Sequence, residues 1–236
     1  MFRRMLVLFI NIKNMKRNIT FRIKGENKIM EFLLPSILND AESEKYLSPE
    51  LYTYWKSREN RTFYIDFEID ECYSLIELGK IIIQMNMEEK DIPKEELKPI
   101  YLWVHSYGGD LEQCHAMIDI IEASRIPIVT VAMGVAMSAG FMLFLSGHKR
   151  YAFKHSNLMV HEGSAAFSGT AEQIEQAQKN YKKQIEGMKE YILSRTEIPE
   201  KIFNKNKTKD WYLTASELVE YSVVNKLVDN FDDILN

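Results

Sequence analysis

The chain has 236 residues, 46% of them hydrophobic and 27% charged, which is typical of a globular protein long enough to bury a substantial core. The formal net charge of −4 gives no reason to expect nucleic acid as a partner, and no apolar run approaches the roughly 20 residues that a membrane-spanning helix needs. Two cysteines, Cys72 and Cys114, provide neither a disulfide framework nor the spacing of a metal site. We therefore expect a reducing compartment, no bound metal, and core packing for both thiols.

The first 29 residues begin like a weak export signal, with a basic and then an apolar stretch, but the apolar part is short and no small-residue cleavage site follows. Residues 25–30 are what a purine-rich ribosome-binding site just ahead of a start codon would encode if it were read in frame. We therefore hypothesise that Met30 is the native start and that residues 1–29 are a leader or a non-native extension. An intact peptide from residues 1–29, found by mass spectrometry of protein made from the native gene, would contradict this.

Strand and helix patterns alternate through the rest of the chain. Apolar residues recur at every second position within 61–69, which predicts a strand, and residues 74–77 form a capping box that predicts a helix to about residue 87. After a charged loop, a strand is predicted at 100–104 and a helix over 110–124. This alternation indicates the α/β class.

A run of β-branched residues at 126–131 predicts a buried strand, and the small-residue segment after it predicts the start of a helix. Ser138 lies at this junction, where free backbone N–H groups and the positive end of a helix point at whatever the hydroxyl attacks. Small neighbours such as Gly134 and Gly140 would let a substrate backbone come close. The segment is typical of a catalytic nucleophile, although a buried serine bonded to its own helix explains it equally well.

Short strands are predicted at 150–153 and 157–160, and the second ends at His161. A serine hydroxyl needs a base near neutral pH, usually an imidazole held by a carboxylate. His161 is the best candidate because it ends a strand and opens a segment, residues 162–169, whose small residues suit substrate binding. Taken alone, a histidine with a purely structural role is the commoner case. The remaining candidates lie in a helix, in polar turns or before a glycine pair: His105, His115, His148 and His155.

Thr170 is predicted to cap a long amphipathic helix that extends to about residue 194 and projects from the body of the protein. A basic polar loop over 204–209 follows, and Thr214 with Glu217 suggests a last capping box.

Asp210 is the preferred acid, because it stands at the entry to an aromatic pair and a helix. The other late acids are Glu217 and the tail residues Asp229, Asp232 and Asp233, and the tail aspartates suit a solvated surface. A tetrahedral intermediate also needs two N–H donors for its oxyanion. Ala139, next to the nucleophile, and Gly109, at the end of the neighbouring strand, are the natural donors.

The order Ser138, His161, Asp210 differs from that of the α/β-hydrolases, and residues 136–140 lack the first glycine of the G-x-S-x-G elbow. Both observations argue against an esterase or lipase.

Four motifs in order carry a resemblance to a known family: Tyr101-Leu-Trp-Val-His-Ser-Tyr-Gly-Gly109, Met133-Gly-Val-Ala-Met-Ser-Ala-Gly140, Asn157-Leu-Met-Val-His161 and Asp210-Trp-Tyr-Leu-Thr-Ala-Ser-Glu217. With them, residues 61–229 resemble the ClpP family of serine peptidases, the proteolytic subunit of the Clp protease. The resemblance implies that Ser138 is the nucleophile, His161 the base and Asp210 the acid. It implies that the N–H groups of Gly109 and Ala139 form the oxyanion hole, and that four further residues bind substrate: Gly108, Glu162, Gly163 and Ser164.

The same resemblance implies a ClpP- or crotonase-like α/β spiral of ββα units in residues 61–236, with the long helix projecting from it. Residues 30–60 would form an N-terminal axial or docking segment. The chain would assemble with copies of itself into stacked rings, in contact through the long helix and the loose strand before it. It would cleave unfolded protein in the cytoplasm without a cofactor. A separate AAA+ unfoldase of the ClpX, ClpA or ClpC type would feed the rings, and neither nucleic acid nor membrane would be a partner.

The sequence departs from the family pattern beside the expected site. The usual Asn-Ser-Pro-Gly-Gly is His105-Ser-Tyr-Gly-Gly109 here, and the usual His-Gln-Pro is His161-Glu-Gly163, which adds negative charge beside the base. Such divergence resembles phage-encoded or second-copy members of the family. Two alternatives remain: a catalytically silent ring subunit or scaffold, and an acyl-CoA enzyme of the crotonase group. An intact set of Ser138, His161 and Asp210 counts against both.

Overall fold

A computed structural model describes residues 19–25, 28–34, 49–70 and 74–235. The chain divides into two compact units, residues 1–60 and 61–236. The first unit contains an antiparallel hairpin of β1 (Ile19–Gly25) and β2 (Lys28–Leu34) and a helix α1 (Pro49–Glu59). The hairpin crosses the boundary predicted at residue 30. The leader over residues 1–29 and the docking segment over residues 30–60 stay predictions.

The second unit is built on a seven-stranded sheet in which all neighbouring strands are parallel except one antiparallel pair. The central order is β3-β4-β5-β6-β9, while β7 pairs with β5 and with β8. The strands are β3 (Thr62–Ile65), β4 (Ile100–Ser106), β5 (Ile128–Met137), β6 (Lys149–Phe153), β7 (Asn157–Val160), β8 (Trp211–Leu213) and β9 (Lys226–Val228).

Helices connect most of these strands, so the predicted α/β class is confirmed. They are α2 (Ser74–Glu88), α3 (Leu111–Ala123), α4 (Ala139–Ser146), α5 (Ala171–Arg195), α6 (Glu200–Asn206), α7 (Ala215–Glu220) and α8 (Asp232–Leu235). The capping boxes predicted at Thr170 and Thr214 are both present, each with the reciprocal bond from the third helical residue. The predicted loop at 204–209 is wrong for residues 204–206, which belong to α6.

The main core lies where α2, α3 and α4 pack on one face of the sheet. Every residue of α4 is buried, because this helix is apolar on all sides and lies inside the unit. A smaller cluster around Trp103 and Val131 covers the other face, with Ile234 of α8 packed against it. Parallel strands need cover on both faces, which explains their continuous apolar sequences.

Strand β5 is longer than the sequence pattern suggests and changes partner along its length. It pairs with β6 as far as Ala132 and with β7 from Val135 onward. Its register with β4 shifts by two residues in between, from Val104 opposite Ala132 to Ser106 opposite Ala136. The strand therefore does not end near residue 131, as predicted, but continues to the residue before Ser138.

One glycine and two side chains define this irregular stretch of β5. Gly134 has a positive φ of 87°, and a Cβ there would lie 2.7 Å from the Nδ1 atom of His105. The same His105 nitrogen donates to the carbonyl oxygen of Met133 at 2.6 Å. The buried hydroxyl of Ser156 donates to the carbonyl of Ala132 at 2.8 Å and accepts the N–H of Gly134 at 3.3 Å. These bonds satisfy backbone groups that a regular ladder would otherwise pair.

The long helix α5 has no buried residue before Met188, whereas Met188 and Ile192 pack into the core. Its first two thirds are thus open for contact, in agreement with the expected projecting helix. Residues 161–168 before it form no regular strand. No helix in the described ranges is both long and apolar enough to cross a bilayer.

Candidate active site

Ser138 lies between the last residue of β5 and the first residue of α4. Its backbone has φ 55° and ψ −124°, in the left-handed region that non-glycine residues rarely adopt. Its N–H donates to the carbonyl of Met159 at 3.0 Å, which continues the β5–β7 pairing by one residue. The side chain is partly exposed, and its hydroxyl bonds to an imidazole of another strand. The sharp turn therefore presents the hydroxyl outward.

His161 reaches Ser138 because β7 is the parallel neighbour of the end of β5. Met137 and Met159 are paired in register, so each strand delivers its next residues to the same edge of the sheet. The Nε2 atom of His161 lies 2.8 Å from the Oγ atom of Ser138. This is the distance at which an imidazole accepts a proton from a hydroxyl.

Asp210 meets His161 through the antiparallel pairing of β7 and β8. Val160 is opposite Trp211, so the next pair in the same register is His161 and Asp210. The Nδ1 atom of His161 lies 3.2 Å from Oδ1 of Asp210. The His161 side chain is 26% exposed and that of Asp210 62%. Two neighbouring strand pairings thus bring together Ser138, His161 and Asp210, although Ser138 and Asp210 lie 72 positions apart in the sequence.

The N–H of Ala139 lies directly beside the hydroxyl of Ser138, since Ala139 is the first residue of α4. The first N–H groups of a helix have no partner within that helix and carry the positive end of its dipole. Further into α4, the N–H groups of Phe141 and Met142 bond back to the carbonyl of Ser138. Ala139 is therefore placed to donate toward a substrate oxygen.

The glycine pair after β4 lies against Ser138. A Cβ on Gly108 would approach the Ser138 Cβ to 2.8 Å and the Ala139 nitrogen to 3.0 Å, and Gly108 has φ 105°. The buried hydroxyl of Ser106 fixes this turn, because it donates to the carbonyl of Phe67 at 2.7 Å and accepts the N–H of Gly108 at 3.2 Å. Both the positive φ and the close approach require glycine at position 108.

Gly109 forms an isolated parallel bridge with Ile69. The Ile69 N–H donates to the carbonyl of Gly108 at 2.8 Å, and the Ile69 carbonyl accepts the N–H of Asp110 at 2.6 Å. In such a bridge the N–H of the middle residue points to the opposite side of its strand. The N–H of Gly109 therefore points away from Ile69, toward the side on which β5 lies. A Cβ at Gly109 would come 1.8 Å from the Ile69 oxygen, so no other residue fits.

The residues predicted to bind substrate follow His161 on the segment that leads to α5. The Glu162 carboxylate pairs with the ammonium group of Lys207 at 2.5 Å, so a cation compensates the negative charge expected beside the base. The Glu162 carbonyl accepts the hydroxyl of Tyr181 at 3.3 Å. Gly163 has φ 81°, and Ser164 is exposed. An ion pair and hydrogen bonds therefore fix this segment at Glu162, and residues 163–166 after it are exposed.

The other histidines lie away from Ser138. His105 bonds to the Met133 carbonyl in the irregular stretch of β5, and His148 accepts the N–H of Ile128 through Nδ1 at 2.8 Å. His115 lines a groove between α3 and α5, and His155 is exposed. Burial and the nearby Arg195 guanidinium lower the pKa of His148, which suits its role as an acceptor.

The remaining acidic candidates also have other partners. Glu217 closes the capping box at Thr214, while Asp229 pairs with Lys154 at 3.0 Å and Asp233 with Lys226. Cys114 is fully buried, and its thiol donates to the Ala139 carbonyl at 3.3 Å. Burial raises the pKa of this thiol, which agrees with the predicted packing role. Cys72 lies outside the described residues.

Three residues near the site were not singled out from sequence: Ser106, Ser156 and Lys207. Ser106 belongs to the motif before the glycine pair, so its position was noticeable while its role was not. Ser156 and Lys207 lie in polar stretches with no distinguishing pattern. Their importance comes from contacts between segments that are distant in sequence. Among the residues that the structure describes, no group of three potential metal ligands is found.

Comparison with known proteins gives the family. Residues 77–231 match the family model for Clp protease, which is well over half of the chain and includes Ser138, His161 and Asp210. The chain belongs to the Clp protease family. Its mainly parallel sheet with packed helices is the expected fold of that family, and membership makes the protein a ClpP-type peptidase.

Similar members of the Clp protease family come from several bacteria. The chain is 32% identical over 139 residues to ATP-dependent Clp protease proteolytic subunit 2 of Treponema denticola, and 29% identical over 139 residues to the protein of the same name from Treponema pallidum. Each alignment covers 58% of this chain and 70% of the relative. The ATP-dependent Clp protease proteolytic subunit of Deinococcus radiodurans is 24% identical over 153 residues, which cover 64% of this chain and 74% of the relative. The expected likeness to a divergent or second-copy family member is confirmed.

Proposed function

We propose that this protein is a serine endopeptidase in which Ser138 is the nucleophile, His161 the general base and Asp210 the residue that orients the base. One observation carries the proposal: the three side chains lie in a row, with a hydrogen bond of 2.8 Å between Ser138 and His161 and a contact of 3.2 Å between Nδ1 of His161 and Oδ1 of Asp210. This is the arrangement that activates a serine hydroxyl near neutral pH.

In the acylation step, the Oγ atom of Ser138 attacks the carbonyl carbon of the scissile peptide bond while Nε2 of His161 takes the hydroxyl proton. The carboxylate of Asp210 accepts the Nδ1–H of His161, which fixes the tautomer and stabilises the imidazolium that forms. His161 then returns its proton to the leaving nitrogen, the C–N bond breaks, and an acyl ester remains on Ser138. Water, deprotonated by His161, hydrolyses the ester and restores the free serine.

The N–H groups of Ala139 and Gly109 would stabilise the oxyanion of each tetrahedral intermediate. The first stands at the start of a helix, and the second points from its strand toward β5. Fixed donors that face developing charge lower the barrier, because they need no reorganisation when the charge appears. Gly108 has no side chain, which leaves room for the substrate carbonyl between these donors.

Substrate binding is assigned to Gly108 and to the segment that contains Glu162, Gly163 and Ser164. The segment follows β7 directly and, beyond Glu162, whose N–H and carbonyl are already bonded, has no strand partner among the described residues. An extended peptide can pair with such a free backbone through main-chain hydrogen bonds, which do not depend on its side chains. Unfolded polypeptide is therefore the substrate class we assign.

We further propose that the chain assembles with itself into stacked rings and works with an AAA+ unfoldase of the ClpX, ClpA or ClpC type in the cytoplasm. Membership in the Clp protease family supports both self-assembly and a Clp ATPase partner. The first two thirds of α5, which contain no buried residue, would form the contact between rings, together with residues 161–168. No cofactor enters the chemistry that we assign to this chain.

A fluorophosphonate probe tests the proposal, because it reacts with an activated serine. We expect labelling of Ser138 in the assembled protein, and its loss in the Ser138→Ala and His161→Ala variants. Peptide mapping of the labelled protein identifies the modified residue. An assembled ring that takes up no probe would support the silent subunit instead, and labelling that survives in Ser138→Ala would rule out Ser138 as the nucleophile.

A further inference from the structure

Glu162 and Lys207 form a double contact directly beside the proposed triad. The Nζ atom of Lys207 lies 2.5 Å from Oε1 of Glu162, and the Glu162 N–H donates to the Lys207 carbonyl at 2.8 Å. The two side chains are 23% and 28% exposed. Ion pairs that are partly withdrawn from water are screened less by solvent and salt than those on an open surface.

This contact lies past the triad but outside the β7–β8 register, in which Glu162 would face Lys209 rather than Lys207. On one side of the His161–Asp210 pair stands the strand pair Val160–Trp211. On the other side, Glu162 follows His161 immediately and Lys207 precedes Asp210 by three residues. The two segments that carry the base and the acid are therefore held together on both sides of the His161–Asp210 contact.

The acid depends on the short segments beside it, which are α6, anchored by the buried Phe203, and β8, which begins with the buried Trp211. Strand β8 has three residues, and the Asp210 side chain is 62% exposed. Its carboxylate contacts the Nδ1 atom of His161. In a solvent-exposed His–Asp pair, the geometry depends on how firmly the two backbone segments are joined, since water competes for the carboxylate.

We infer that the Glu162–Lys207 ion pair is a positioning element, which holds the Asp210 segment against His161 and so keeps the imidazole in line with Ser138. This inference rests on the proposed function. Neither residue touches the reacting atoms. The positioning requires opposite charges at positions 162 and 207. Reversal of one charge should therefore lower the activity, and reversal of both should restore it.

Charge reversal tests the inference in three variants: Glu162→Lys, Lys207→Glu and the double variant. We expect each single change to lower both kcat for a fluorogenic peptide and the rate of fluorophosphonate labelling by about 10- to 100-fold, as displacements of about 1 Å near a reacting centre do. The double variant should return to within about threefold of the original rates, since the ion pair forms again with its charges exchanged. The pH profile of kcat/KM should change shape in the single variants and recover in the double variant.

The matched control is Glu77→Lys, which reverses one charge of the exposed Glu77–Lys80 pair on α2 and should leave all rates unchanged. Ring assembly is followed by analytical ultracentrifugation. If a single reversal prevents assembly, the neutral variants Glu162→Gln and Lys207→Met replace it, with a smaller loss of kcat expected.

Single variants with unchanged kcat, a loss confined to KM, or a double variant no better than the worse single one would each overturn the inference. Failure of the proposed function gives a different result, because either the unmodified protein would show no peptidase activity and take up no probe, or Ser138→Ala would keep its activity. If Ser138→Ala is inactive while the charge reversals have no effect, only the positioning role is wrong.

Discussion

Gly108 lies so close to Ser138 that a Cβ on the glycine would approach the serine Cβ to 2.8 Å and the carbonyl oxygen of Met137 to 2.7 Å. The loop after β4 thus touches the end of β5 at the residue proposed as nucleophile. Since Ser138 itself has a positive φ, both sides of this contact hold unusual backbone conformations. The hydrogen bonds around the contact must therefore hold the strained backbone of both residues in place.

The Gly108→Ala variant tests this contact. The new methyl group would meet backbone atoms that have no room to move, and the left-handed φ of 105° adds strain of about 1–3 kcal/mol. We expect at least about a 100-fold loss of peptidase activity, because the Ser138 hydroxyl moves relative to His161. The control is Gly187→Ala on α5, where a Cβ meets nothing within 4 Å. That change should keep the activity and stabilise the helix by about 0.5–1 kcal/mol. Equal activity in both variants would contradict the argument.

Replacement of the proposed triad residues should give a graded series. Ser138→Ala and His161→Ala remove the nucleophile and the base, and losses in kcat near about 10⁶-fold are typical of such changes. Asp210→Asn should cost less, about 10²- to 10⁴-fold, because the exposed carboxylate shares its role with water. For each variant, kcat is measured for cleavage of a fluorogenic peptide, and ring assembly is checked. An Asp210→Asn variant as active as the unmodified protein would remove Asp210 from the mechanism.

Where local signals decide the structure, the sequence predicted it well. The strand at 157–160 has the predicted bounds, and the helix predicted over 110–124 is α3 (Leu111–Ala123). The capping boxes at Thr170 and Thr214 form as expected, since they depend on residues three positions apart. Asp210, chosen by its position before an aromatic pair, meets His161 because β7 and β8 pair in register.

Where distant contacts decide the structure, the pattern was insufficient. Residues 132–137 are mostly small or flexible and resemble a helix start, yet pairing with β7 and the bonds of Ser156 hold them as a strand. Residues 204–206 are polar, yet they continue a helix because Phe203 anchors it in the core. The Glu162–Lys207 contact joins residues 45 positions apart, and no local signal marks it.

Ser156→Ala should destabilise the fold and the site together. The buried hydroxyl of Ser156 donates to the Ala132 carbonyl and accepts the Gly134 N–H. Its removal leaves these two backbone groups unsatisfied, which lowers the free energy of unfolding by about 1–3 kcal/mol. Because these groups set the path of β5 toward Ser138, fluorophosphonate labelling should slow as well. Urea denaturation measures the first effect and labelling kinetics the second. His155→Ala, at the exposed neighbouring position, is the control and should change neither. A stable Ser156→Ala variant would show that water replaces the hydroxyl.

His148 should make the stability of the fold depend on pH. Burial and the Arg195 guanidinium hold its pKa below the ordinary value of 6.5, and its Nδ1 atom must stay unprotonated to accept the Ile128 N–H. Between the lowered pKa of the folded state and the ordinary pKa, the unfolded chain binds more protons than the folded one. The stabilising contribution is therefore fully present above about pH 6.5 and is lost as the pH falls through the folded-state pKa.

His148→Asn isolates this contribution, because the amide oxygen of asparagine can accept the same N–H without titrating. We expect the urea midpoint of the unmodified protein to fall more steeply than that of the variant below about pH 6.5, while the two curves run parallel above it. The difference between the curves removes the effect of every other titrating group. If the two curves instead stay parallel down to about pH 5, protonation of His148 does not oppose folding, and the pKa of His148 is not lowered in the folded protein.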